Sequence, residues 1–384
     1  MIRKLLSKNK SKILKGSVIF LSIFVLAWTI YSIYRIIASS APDFSILWFS
    51  AKDFWQHQNP YGNPHLFTLN PNVPITFLYY APLIILPYKI AQAIFVILSF
   101  FATIFCSYLS FKILNLKFKW KYFLLSLSLI FLAFPTKFTL GMGQINTIVF
   151  FPFLLSYSFY KRQELGKSGV LLGICVSLKP ILAFFFLFFI LKRQWKMILS
   201  AGLTILLGLA AALLITGPGV FVYWAKEVIP HFLVLSGREV YYNQGIMGFV
   251  SRIFGDIGTR KYLTAAISAF LILVTSRLTL IKKKEDLGLS LFIITLLLVD
   301  TLSWQHHFVW LIFPIITLGY YVAKSKKVWP GLLLVLAYLL VSWNLKNPES
   351  FSEFPKSLIL SHTFYGTFTL YLLNIYFLKK QKIT

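Results

Sequence analysis

The chain has 384 residues, of which 58% are hydrophobic and 18% aromatic, with a mean hydropathy of +0.75. No water-soluble domain hides that much apolar surface in one core, so the composition excludes a soluble enzyme and predicts an all-α polytopic integral membrane protein. The 38 Lys and Arg against 11 Asp and Glu give a net charge of +27, which in a soluble chain would suggest nucleic acid and here must first be sorted by side of the membrane.

Arg3, Lys4, Lys8, Lys10, Lys12 and Lys15 precede an apolar run from Val18 to Ile37. A cleaved signal peptide has this layout, but its apolar part is usually ~7–15 residues, so a retained first span is the reading here. Spans need ~20 apolar residues, and they are expected near 17–38, 90–111, 122–140, 143–160, 197–216, 261–281, 287–303, 308–323, 327–344 and 363–378. Basic clusters fall between them at 112–121, 161–167, 192–196, 282–284, 324–327 and 379–382. With the N-terminus these clusters hold most of the basic residues, and only Glu164, Glu285 and Asp286 among the acids. Lys and Arg concentrate on the cytoplasmic side of membrane proteins, so the clusters and both termini are assigned there. Topology then accounts for the net charge, and a nucleic-acid partner loses its support. Cys106 and Cys175 both lie in apolar stretches, which supports neither a disulfide framework nor a thiolate metal site.

Residues 168–191 lie between two basic clusters but are too few for two crossings of ~20 residues each. Their "GICVSLKPILAFFF" places Lys179-Pro180 at the middle. Proline removes a backbone donor and clashes with the preceding turn, so two half-helices are expected to meet there. A lysine at that depth needs an anion or a water-filled cavity. The proline-bounded "FLYYAPLIILPY" (77–88) is a second re-entrant candidate. About twelve membrane segments result, forming one domain over 1–384.

Two longer stretches, 39–76 and 217–260, face outward and form the expected active-site face. In the first, Phe44, Leu47, Trp48, Ala51, Phe54 and Trp55 recur at helical spacing. That predicts an amphipathic helix over 43–56, lying at the interface with its aromatic face in lipid. Turn chemistry in Asn59-Pro60-Tyr61-Gly62-Asn63-Pro64 ends it.

Asp43 and Asp53 are the acidic residues that precede Glu164. Asp43 opens the outer helix and is read in two compatible ways: as an N-terminal cap, or as a general base at the membrane surface that deprotonates a hydroxyl acceptor. Asp53, beside Lys52, is expected to be solvated. "DTLSWQHHFVWLIFP" puts Asp300, Trp304, His306 and His307 at the outer mouth of two spans. Adjacent histidines point about 100° apart on a helix and do not form a metal-ligand pair; donation to a phosphate or a simple interfacial role remains. In "GMGQINTIVFF", Gln144 and Asn146 are either helix-bridging amides or substrate contacts. Arg252 of "NQGIMGFVSRIFG" either pairs bidentately with a phosphate or lies exposed at the interface, and Asn243 and Gln244 precede it.

In this order, "DFSILWFSAKDFWQHQNPYGNP", "YYAPLIILP", "GMGQINTIVFF", "GVLLGICVSLKPILAFFFLFFILKRQWK", "NQGIMGFVSRIFG" and "SWQHHFVWLIFP" resemble glycosyltransferase family 87, enzymes of the GT-C fold that use polyprenyl-phosphate sugars. The likeness runs over roughly residues 40–320. It implies a hexosyltransferase, with mannose the sugar of the best-known relatives, in which Asp43 is the general base of a single inverting displacement. The donor would be a polyprenyl-phosphate sugar, and the acceptor an outer-face glycolipid or glycan. Lys179, His306, His307 and Arg252 would neutralise the leaving phosphate, and Gln144, Asn146, Asn243 and Tyr61 would contact substrate. Neither a cofactor nor a metal is expected, because the leaving group is a monophosphoryl lipid and no acidic pair is placed to hold a cation. The chain departs from the family in carrying Gly245 where a serine is common, and Ala81-Pro82 where a doubled proline is.

Two other classes fit parts of the pattern: a lipid or sugar transporter or flippase, and a lipid-linked glycan ligase or polymerase. Against the first, no inverted repeat is apparent, and the acidic residue lies in an outer loop instead of a midplane break. A ligase normally releases a diphosphate and would need more outer cationic groups.

Overall fold

The computed structural model describes residues 2–62, 70–116, 119–233, 237–281 and 284–380. Asn63, Pro64, Lys117, Lys282, Lys283 and Lys382, which belong to the expected turn and basic clusters, lie outside them, as do the side chains of Arg3 to Lys15. The described residues form helices and connecting turns. The principal helices are α1 (Ile2–Ala38), α2 (Pro42–Trp55), α3 (Tyr88–Ile113), α4 (Trp120–Leu132), α5 (Phe134–Met142), α6 (Asn146–Lys161), α7 (Leu165–Leu178) and α8 (Phe184–Leu191). They continue as α9 (Trp195–Thr216), α10 (Ile246–Ser251), α11 (Ile257–Ile281), α12 (Glu285–Val299), α13 (Ile312–Ser325), α14 (Val328–Ser342) and α15 (His362–Lys379). Five helical stretches among the described residues are long and apolar enough to cross a membrane: Gly16–Ala38, Tyr88–Ile113, Trp195–Thr216, Ile257–Ile281 and Gln305–Ser325.

A sixth crossing results if α4 and α5 count as one span bent by 64°. Pro135 in the first turn of α5 explains the bend, since Ala133 before it is extended and the α4 ladder ends there. Other expected spans are shorter: α12 and α14 have 15 residues each. α12 is buried along its length from Leu287 to Leu298 and forms the centre of the bundle.

The segment 165–191 folds back on itself. The Cys175 thiol approaches the Val149 carbonyl and Lys179 binds Asn146, so α7 climbs α6 to its first residue. The chain breaks at Lys179, which is extended, and a 3-10 turn over Pro180–Ala183 reverses it. α8 then descends the same helix: Phe185 meets Phe153 at 4.3 Å and Phe189 meets Tyr160 at 5.4 Å. Lys192 finally donates to the Thr279 carbonyl at 2.9 Å. Both feet of this hairpin stand at the basic end, and Lys179 is its tip.

The hairpin's rising arm packs tightly on α9. A Cβ on Gly169 would lie 2.3 Å from the Met197 carbonyl oxygen, and one on Gly173 2.7 Å from that of Ala201. The two form a small-xxx-small contact that lets the backbones touch. The basic end is tied by Tyr160 donating to Glu285 at 2.8 Å and by Tyr157 and Lys161 on Asp286 at 3.0 and 2.9 Å.

One expectation is overturned. The aromatic face of α2 is inside the protein: Phe44, Ala51 and Phe54 are fully buried, and Leu47 and Trp48 nearly so. Phe44 packs on Phe95 at 4.7 Å, and the indoles of Trp48 and Trp55 donate to the carbonyls of Leu83 and Phe77. Those acceptors belong to the 74–84 segment, whose Thr76 hydroxyl donates to the Ser177 carbonyl near the hairpin tip. The same stripe that would suit lipid finds a protein partner, because apolar periodicity does not distinguish the two. Asp53, expected in solvent, is also buried.

Candidate active site

Four elements converge at the end of the bundle opposite the lysine clusters. α2 contributes Asp43 from its first turn, next to Pro42 at N1. The N-cap is Ala41, and no side-chain cap bond forms there. Asp43 is thus not the cap; its Oδ2 accepts instead from the Gln144 amide at 2.5 Å. Gly143 makes that reach possible. It closes α5 in the left-handed conformation at φ 66°, and a Cβ there would lie 2.7 Å from the Phe44 Cβ and 2.8 Å from that of Ala41. Only glycine takes both demands without strain.

Two residues on, Asn146 receives the ammonium of Lys179 on its Oδ1. Its Nδ2 donates to the His306 carbonyl at 2.9 Å, and its own carbonyl accepts from the Trp310 indole at 3.0 Å. Asn146 is fully buried with these bonds made. Gln144 and Asn146 therefore hold a carboxylate and an ammonium beside one another. Lys179 interacts electrostatically with both Asp43 and Asp300, and lies 5.5 Å from the centre of the Trp310 ring. Burial holds the Asp43 carboxyl above its ordinary value, opposed by the Gln144 hydrogen bond and the positive charge of Lys179.

The 3-10 turn Gln305–Leu311 brings in His306 and His307, with ring centres 4.6 Å apart. His307 stacks on Trp310, and its Nδ1 lies 3.6 Å from Asp300 Oδ2. His306 lies between Phe138 and Trp304, and its carbonyl also accepts from the Thr139 hydroxyl at 2.9 Å. Neither Nδ1 has a hydrogen-bond partner.

Residues 241–244 close the site from above. Gln244 N donates to the Ser303 carbonyl at 2.8 Å and Gln305 N to that of Tyr242 at 2.9 Å, an antiparallel bridge centred on Asn243 and Trp304. A Cβ on Gly245 would approach the Asp300 carbonyl oxygen to 2.6 Å, so the close approach of the two loops requires a glycine here. Asn243 spends its amide on the carbonyls of Arg238 and Thr301, and Gln244 on those of Tyr241 and Leu360.

Asp43, Gln144, Asn146, Lys179, His306 and His307 thus come together, while three other predicted residues are engaged elsewhere. The Arg252 guanidinium donates to the carbonyls of Glu239, Val240, Tyr241 and Asn243 and to the Ser361 hydroxyl. Burial lowers its pKa to about 10, so it stays charged at neutral pH and acts as a buried loop clamp, not as an exposed interface residue. Tyr61 donates its hydroxyl to the Asn72 carbonyl at 2.7 Å and stacks on Tyr223. Asn243 belongs to the loop bridge. Conversely, Arg238 went unnoticed in the sequence: it is buried and paired electrostatically with Asp300. A lone arginine in a loop carries no periodic signal, and its place shows only once the loops pair.

Residues 67–304 match the sequence profile of glycosyltransferase family 87. The chain is 22% identical over 214 residues to a polyprenol-phosphate-mannose-dependent alpha-(1-2)-phosphatidylinositol mannoside mannosyltransferase of Mycobacterium tuberculosis, an alignment covering 54% of this chain and 49% of the relative. The Mycolicibacterium smegmatis protein of the same description is 23% identical, with the same coverage. A polyprenol-phosphate-mannose-dependent alpha-(1-2)-phosphatidylinositol pentamannoside mannosyltransferase of Mycobacterium tuberculosis is 26% identical over 46% of this chain and 41% of its own length. The chain spans about half the length of the curated relatives it matches. The profile covers well over half of the chain, with Gln144, Asn146, Lys179, Asp300 and Trp304 inside it, and the protein belongs to glycosyltransferase family 87.

Proposed function

We propose that the chain is a membrane mannosyltransferase that moves its sugar from a polyprenyl-phosphate donor to a hydroxyl of an outer-face glycolipid or glycan. The observation that carries this reading is the Asp43–Gln144 and Lys179–Asn146 pairing, which sets a carboxylate and an ammonium on neighbouring residues of one turn. In the reaction the acceptor oxygen attacks the anomeric carbon as Asp43 takes its proton. The bond from that carbon to the phosphate oxygen breaks, and its electron pair leaves with the polyprenyl phosphate. Lys179, with His306, whose Nδ1 has no hydrogen-bond partner, and His307, whose Nδ1 faces Asp300, meets the charge that develops there. A single displacement inverts the anomeric centre. With an ammonium already beside the leaving group, the step is expected to proceed without a metal.

An apolar cavity of about 910 Å³ between α4–α5 and α13–α14 supports a lipid donor. Its lining runs from Thr136 and Phe308, the residue that follows His307, past Leu129 and Ile315 to Lys119 and Ala323 near the basic end. A prenyl chain lying in it would leave its phosphate beside the histidines. Transport or flipping of a lipid needs no general base, so the deciding experiment compares donors and variants together. Membranes bearing wild type or Asp43→Asn are given a panel of radiolabelled polyprenyl-phosphate sugars, with EDTA present. Transfer from polyprenyl-phosphate mannose that is insensitive to EDTA and absent from Asp43→Asn is the expected result. Equal transfer by both forms would overturn the role of Asp43, and consumption of a different donor would overturn the sugar.

A further inference from the structure

At the end of the bundle opposite Asp43, a second cationic site is assembled from residues that the reaction does not use. α14 and α15 pack closely, with Gly366 against the Ala337 carbonyl. Lys327, the N-cap of α14, is thereby brought to Lys379 and Lys380 at the end of α15. Trp329 stands edge-on to Tyr376, with ring centres 4.6 Å apart. Lys380 donates to the Tyr376 hydroxyl at 2.6 Å, and its ammonium lies 5.0 Å from the centre of that ring. Lys327, Trp329, Tyr376, Lys379 and Lys380 line a hollow of about 430 Å³, and among the described residues no carboxylate lines it.

Several other basic groups at that end are already paired. Lys161 is neutralised by Asp286, Lys167 and Arg162 by Glu164, and Lys192 donates a hydrogen bond to the Thr279 carbonyl. Here three ammonium groups line one hollow, one of them donating to the Tyr376 hydroxyl, and like charges so placed repel unless an anion lies among them. Among the described residues the N–H and O–H donors outnumber the acceptors, the Tyr376 hydroxyl accepting from Lys380, and such a donor set is the complement of a phosphate. The rim is apolar: Val328 and Trp329 are exposed beside the lysines, as suits side chains at the level of lipid headgroups.

We propose that this hollow binds the phosphate of an anionic membrane lipid, its headgroup held by Lys327, Lys379, Lys380 and the Tyr376 hydroxyl, and its glycerol end lying against Trp329. An anionic phosphate is the required chemistry; the apolar rim selects a lipid over a free ion.

Native mass spectrometry of the purified full chain in detergent, titrated separately with phosphatidic acid, phosphatidylcholine and inorganic phosphate, tests this. Wild type is expected to retain one phosphatidic acid, with an affinity about tenfold or more above that for phosphatidylcholine, the effect of one or two charge-assisted contacts. Lys327→Gln/Lys379→Gln/Lys380→Gln is expected to lose that preference, and Lys112→Gln/Lys121→Gln to keep it. Tyr376→Phe removes the hydroxyl without changing charge, so it reads the site even where the triple variant fails to fold, and is expected to weaken retention. Undiminished retention in a folded triple variant or in Tyr376→Phe overturns the site. Inorganic phosphate that binds alone, as tightly as the lipid and with the same dependence on the lysines, overturns the lipid as its ligand. Because this site is remote from Asp43, its failure leaves the transferase reading untouched.

Discussion

Asp43 is a carboxylate that burial disfavours in its ionised form, and that fact separates its two readings. Its folded pKa is raised, so the folded protein holds the proton more tightly than the unfolded chain. Its contribution to stability is therefore present below the unfolded pKa and is lost as pH rises through the folded one. At neutral pH the ionised group costs stability, and Asp43→Asn is expected to melt at the same temperature as wild type or higher. The same variant is expected to lose about 10²–10⁴-fold in transfer rate, the usual worth of a general base. Thermal melts and initial rates on one preparation decide this, since a capping carboxylate would lower the melt. For the same reason kcat/KM is expected to fall on acidification with a limb above the ordinary carboxylate value of 3.8; a limb at or below it would contradict base catalysis. Arg252→Ala is expected to act on folding, destabilising the protein by about 2 kcal/mol or more as buried carbonyls lose their donor, with the donor KM of the folded protein little changed. Asp43 was legible in the sequence because acids are so rare around it. Arg252 and Tyr61 were legible as polar groups in an outer loop, but a sequence counts donors without showing which are already spent on nearby carbonyls.

The hairpin of α7 and α8 was readable as an element because two independent constraints, basic residues at both ends and too few residues between them, admit few folds, and Lys179-Pro180 marks the turn. The partner of α2 was not, since a buried helix face and a lipid-facing one share the same pattern of residues. The contact of α7 with α9 had a signal that passed unread: Gly169 and Gly173 are four apart in an apolar run. Gly173→Val is expected to push these helices apart and to cost about 1–3 kcal/mol by overpacking, measured as a lower melting temperature in detergent. Gly143→Ala is a sharper test of the site. Its Cβ would meet α2 at Phe44 and Ala41, so the expected outcome is loss of transfer through displacement of Asp43 from Gln144 while the lysine-lined hollow at the far end keeps its ligand.

At the scale of the molecule, an apolar cavity whose lining begins at Phe308, the residue after His307, makes the donor's chain length a specificity element of the proposed reaction. Lining residues of α13 from Ile312 to Ala323 extend about 17 Å at ~1.5 Å per residue. Donors cut to two isoprene units are expected to bind about tenfold or more weakly, because apolar area contributes about 25 cal/mol per Å²; KM for a series of chain lengths measures it, and a flat series would place the lipid elsewhere. Residue order alone did not show this cavity, since it exists between helices far apart in sequence. The hairpin has a last consequence. Asp43 hangs from one rim of the bundle, whereas Lys179 is propped up from the other by arms whose feet are fixed at Thr279 and among the lysines. The gap between the two charges is thus a gauge of how far apart the rims are held, which the surrounding bilayer sets through hydrophobic mismatch. Reconstituted into vesicles of graded acyl length, the protein is expected to work fastest at one thickness and to slow in both thinner and thicker membranes, as the carboxylate and the ammonium slide out of register.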